Sequence, residues 1–176
     1  MPDRSKPQAP EKAAPPIVEA FISEFAAKVD KEYALLEEHS DGPLKTSLFA
    51  LQMETLIFGL HCLDRALFAR FGAAYRSAFM DHAFATACEA FAVALPDDAR
   101  DRFLESFEDH CYIRQQEYGA MKPLPGEDGA MKNVLACEFT KRICVDAGVY
   151  NPPVQLVLME WANGIATMML EIAEKL

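Results

Sequence analysis

Three residues able to do chemistry stand at intervals that a single helix would align. Glu54, His61 and Arg65 are spaced by seven and then four positions. At about 100° per residue they fall within about 40° of one another. A carboxylate, an imidazole and a guanidinium would then share one stripe. Asp64 follows His61 by three positions, a spacing that permits a hydrogen bond to the ring or joint ligation of a metal. His61 would serve as ligand or general base, with Asp64 orienting it. The same pattern also describes an internal ion pair, or the one wet stripe of an otherwise greasy helix, and such residues more often play that plainer part.

A second set lies further along the chain. Phe103, Phe107, Cys111, Arg114 and Tyr118 recur at steps of three and four, which puts Arg114 on the inward face of a helix. An unpaired guanidinium there would be costly, so Arg114 requires a carboxylate. Glu117 is one at i+3, and Glu54 is the best choice from another helix. Alternatively, Arg114 faces a pocket and grips an anionic ligand bidentately. The candidate ligand-binding residues are thus Glu54, His61, Asp64, Arg65, Arg114 and Glu117.

A weaker alternative is a metal site drawn from His61, Asp64, His82 and His110. His82 and His110 each follow an aspartate, Asp81 and Asp109, and neighbours in sequence point about 100° apart on a helix. The Glu-x-x-His repeat of a carboxylate-bridged di-iron bundle does not occur. Neither does a Gly-x-Ser-x-Gly elbow or a glycine-rich phosphate loop. Cys111 sits beside His110 and one turn from Arg114, but reads as a buried, inert thiol. No catalytic residue and no cofactor is assigned.

These residues must be carried by helices. Val, Ile and Thr are sparse, and apolar residues recur at three and four rather than at two. A first helix is predicted over about 16–39, with Ile17, Phe21, Phe25, Val29 and Leu36 on its stripe. A second, over about 43–71, is apolar almost all round and so should be central. The third covers about 73–95. The fourth begins after Asp97 or Asp98 and ends near Gly119. The fifth covers about 130–147, closed by Gly148. The sixth starts at Asn151-Pro152-Pro153, a favoured cap followed by favoured first-turn prolines. Residues 1–15, rich in proline, read as a disordered tail. The expected fold is an all-α six-helix bundle around the second helix, one domain over residues 16–176.

Composition narrows the function. Acidic residues number 27 against 17 basic ones in 176 residues, a formal net charge of -10. That disfavours nucleic acid, whose binding needs a basic surface, and anionic lipid. The excess is concentrated in the first and fourth helices, which should be outer ones with solvated acidic faces. Five cysteines, an odd number without a Cys-x-x-Cys pair, suit a reducing cytoplasm. The longest apolar run considered for a membrane, Thr55 to Leu63, is far below the ~20 residues of a span. Met159, Trp161, Met168 and Met169 on the sixth helix could present an adaptable face to a partner. The expectation is a soluble, acidic, cytoplasmic helical bundle that acts by binding a protein partner or by forming a homodimer. The alternative is a bundle, possibly an enzyme, that binds a small ligand or metal between its second, third and fourth helices.

Overall fold

The computed structural model describes residues 7–93, 95–120 and 130–176. They form six helices and, among the described residues, no strand: α1 (Pro10–Glu38), α2 (Leu48–Phe71), α3 (Ala73–Val93), α4 (Asp97–Gly119), α5 (Ala130–Ala147) and α6 (Pro152–Lys175). One continuous cluster of buried side chains draws on all six.

α2 is the central element. Side chains from Leu51 to Leu67 are buried except Gln52 and Arg65, and α1, α3, α4 and α6 all pack on it. It starts at Leu48, later than the predicted 43, because Ser47 supplies the cap: its Oγ accepts the Ala50 N–H at 3.1 Å. Gly72, at φ 80°, ends the helix and turns the chain into α3. Gly59 sets the approach of α1, since a Cβ there would lie 2.5 Å from the Phe21 ring. Only glycine tolerates that crossing without a shift.

α1 corrects the expected tail. Ordered helix begins at Pro10, within the stretch 1–15 read as disordered. Pro10 occupies the first turn, where a missing N–H costs nothing. Pro15 and Pro16 forgo two helical hydrogen bonds. Burial of Ala13, Ala14 and Val18 offsets that loss, and Tyr75 of α3 donates to the Gln8 carbonyl at 2.9 Å. Composition describes the isolated segment; tertiary packing against α3 decides its state.

α6 is the second core helix, lying against α2 and α5. Val154, Leu158, Ala162, Ile165, Ala166, Met169 and Ala173 face inward. Asn151 holds the cap position but makes no side-chain cap bond. By length and composition α6 could cross a membrane, and it is longer than the apolar run in α2 that stood out in the sequence. The proposed partner face on α6 is corrected as well. Met169 is 1% exposed, and Met159, Trp161 and Met168 pack half-buried on the core, with Trp161 edge-on to Phe139. The four do not share an outer face.

α4 is embedded differently. Among its described side chains only Phe107, Cys111 and Tyr118 are buried apolar ones. Leu104 (42% exposed), Tyr112 (65%) and Ile113 (54%) point outward.

Candidate functional site

The most heavily bonded polar group joins α2, α4 and α5. Glu54, 5% exposed in the middle of the apolar helix α2, uses both oxygens. Its Oε2 accepts from Arg114 Nε at 2.8 Å and its Oε1 from the Tyr118 hydroxyl at 2.6 Å. Arg114 also donates to Glu117 Oε2 at 2.8 Å. Arg142 of α5 reaches the same Glu117 oxygen at 3.0 Å and Glu54 Oε1 at 3.8 Å. Its guanidinium also lies 5.9 Å from the centroid of the Tyr118 ring. Two carboxylates, two guanidiniums and one phenol thus form a charge-balanced clamp.

The clamp accounts for its own electrostatics. The hydrogen bond from Arg114, joined by the Arg142 charge, holds the Glu117 carboxyl below its ordinary range against some desolvation. Burial, then the Glu54 carboxylate, pushes the Tyr118 phenol upward, so it stays a donor. Burial opposes the charge of Arg114, but Glu117 and Glu54 outweigh it and raise its pKa. A carboxylate held this way is poorly suited to act as a base, and what the clamp does is tie three helices together.

The other sequence candidates part company. His61 Nδ1 donates to Gln115 Oε1 at 2.8 Å, with the amide oxygen as acceptor. That leaves His61 Nε2 and Gln115 Nε2 buried without a partner. Burial holds the His61 imidazole below its ordinary value, and it is neutral at pH 7. Asp64 does not orient His61, as had been expected; Arg76 of α3 grips both its oxygens, Nε on Oδ1 and Nη2 on Oδ2, the latter at 2.9 Å. An arginine fork satisfies a partly buried carboxylate better than one ring N–H does. Arg65 is half-buried and bonds neither Glu54 nor His61, so the common stripe is not a common site. His82 and His110 are exposed. Among the described residues no three His, Cys, Asp or Glu side chains converge as a metal centre needs, and the set His61, Asp64, His82 and His110 does not assemble. Burial pushes the Cys62 and Cys111 thiols up to about 12, so neither is a ready nucleophile.

The pairing of Arg114 with Glu54 and Glu117 agrees with expectation. Arg142, Tyr118, Gln115 and Arg76 were missed. Tyr118 lies on the inward stripe, where periodicity alone reads it as an apolar residue. Arg142 stands three residues after buried Phe139, the same inward-facing arginine signal that singled out Arg114.

Two clefts flank α4. One, of about 460 Å³, opens between α2, α4 and α5 and includes Phe49, Phe103, Ile113 and the edge of the clamp at Arg114. The other, of about 680 Å³, lies between α2, α3 and α4. A third, of about 450 Å³, separates α5 from α6. Comparison of the chain with protein-family models, with curated proteins and with solved structures finds no match.

Proposed function

We propose that this protein works by binding another protein chain, a partner or a second copy of itself, and that α4 is the helix that does it. The observation carrying the reading is the setting of α4. It exposes Leu104 and Tyr112 beside the cleft on its α3 side and Ile113 beside the cleft on its α5 side. Scattered exposed apolar residues are ordinary, but three large ones beside open clefts on one helix suit an interaction surface. Glu54, Arg114, Tyr118 and Glu117, beside the cleft on the α5 side, bond to one another, which favours a structural part over catalysis. The five free thiols suit a cytoplasmic setting, and the acidic balance favours protein over nucleic acid.

The alternative, a small-ligand site between α2, α3 and α4, draws on the unpartnered His61 Nε2 and Gln115 Nε2. A ligand meeting those two atoms would satisfy a buried acceptor and a buried donor together.

Photo-cross-linking in cells tests the association reading. A benzophenone amino acid at Ile113 should trap a protein adduct, and sedimentation equilibrium of the purified chain then separates a second copy from a different partner. The same label at Glu19, exposed on α1, should trap little. Equal yields at both positions, or no adduct at 113, would contradict the assignment of α4.

A further inference from the structure

We infer that the cleft between α3 and α4 takes a basic, amphipathic helical segment of a protein partner. This inference rests on the association reading and specifies its chemistry. The apolar part of the cleft is built from Phe84 of α3 and from Leu104, Phe107 and Tyr112 of α4, with polar and charged side chains around it. On α4 the lining runs from Leu104 to Gln116, about 18 Å of helix at 1.5 Å per residue. That length matches three turns of a helix laid in a groove, which anchors through side chains at i, i+3, i+4 and i+7.

The charge of the rim sets the sign of the occupant. Asp64 and Arg76 cancel within their own fork. That leaves Asp81 on α3 and Glu108 on α4, both exposed and facing the cleft from opposite walls. Neither makes an ion pair within 4 Å among the described residues, although Asp81 lies near enough to Arg76 to favour its charge. An apolar floor between two exposed carboxylates complements a segment with leucine-like anchors flanked by lysine or arginine. The net charge of -10 would also steer such a segment toward the molecule. Exposed Tyr112 offers a ring face to a guanidinium or ammonium group.

The test uses the full chain and a defined probe, a fluorescein-labelled peptide of about 18 residues built from leucine and lysine in helical register. Its counterpart carries glutamate in place of every lysine. Fluorescence anisotropy at about 0.15 M salt reads binding above the screened background. The lysine peptide should bind and the glutamate peptide should not. Asp81→Lys with Glu108→Lys should weaken binding at least about tenfold, as like charges then meet across the interface. Glu19→Lys with Glu24→Lys on α1 makes the same change in net charge away from the cleft and should leave binding within about twofold. All four positions are exposed, so circular dichroism melts should match the wild type.

No binding of the lysine peptide, or equal weakening by the two charge-reversed pairs, would overturn the inference. So would displacement of the peptide by dodecylammonium at concentrations below the peptide's own Kd, which would make the cleft a small-molecule site. If the peptide fails while Ile113 still traps an adduct in cells, the cleft assignment falls and the association reading stands. If both fail, both fall.

Discussion

The two sides of α2 are held by different forces. Toward α1 and α6 the contact is apolar and close, with Phe21 against Gly59 and Met169 reaching the same spot. Toward α4 and α5 the Phe58 ring meets Tyr118 and Phe139, but the most directional tie is the clamp of Glu54, Arg114, Tyr118, Glu117 and Arg142. Apolar packing is non-directional and summed over many atoms. A clamp depends on a few groups that fail together. The first kind of contact gives a core; the second gives a helix whose attachment can be altered by one residue while the core persists.

Breaking the clamp should have the largest effect. Arg114→Ala leaves Glu54 buried beside α4 without its main partner and should cost about 3–5 kcal/mol in denaturant unfolding. Replacing Glu54 and Arg114 together with leucine should cost clearly less than the sum of the single changes, because no orphaned charge remains. Equal, additive losses would show that the pair is not coupled. On the apolar side, Gly59→Ala pushes a methyl group into the Phe21 ring and should cost about 1–3 kcal/mol by overpacking. Its melt should remain a single cooperative transition, since α1 and α6 are disturbed together.

Acid should separate the sides without mutation. Burial holds the His61 pKa below its ordinary value of 6.5, so the folded state takes up a proton less readily than the unfolded chain does. Stability is therefore fully present above about pH 6.5 and declines as pH falls below it. His61→Gln should flatten that part of the pH profile; an unchanged slope would remove His61 from the account. The smallest effect expected is at Arg76→Ala. The Arg76 side chain is 41% exposed, which discounts the pair, but buried Asp64 loses both its donors, so the loss should be about 1–2 kcal/mol.

Much of this arrangement was legible in the sequence, and the limits have physical causes. A helix apolar almost all round has to be central, and α2 is. An inward arginine has to find a carboxylate, and Arg114 found both that were named for it. The spacing of Glu54, His61 and Arg65 could say that they share a stripe but not which neighbour each would meet. Glu54 turned to α4 and α5, His61 to Gln115, and Asp64 to Arg76 across the α2–α3 corner. Those choices depend on how helices are placed, which no single-helix periodicity contains. The start of α1 was misread for a related reason: prolines and polar residues describe a segment alone, whereas Tyr75 and the burial of Ala13 and Ala14 act on it from outside. The methionines of α6 point to adaptability in sequence, but their inward direction follows from α2 and α5 lying beside them.

Hydrogen exchange read by mass spectrometry, with and without the leucine–lysine peptide, tests the central claim most directly. In the free protein, α4 amides should exchange faster than those of α2 and α6, and they should slow together with those of α3 when the peptide binds. Exchange of α4 as slow as that of α2, or protection on peptide addition that falls on α1 or α6 instead, would contradict it.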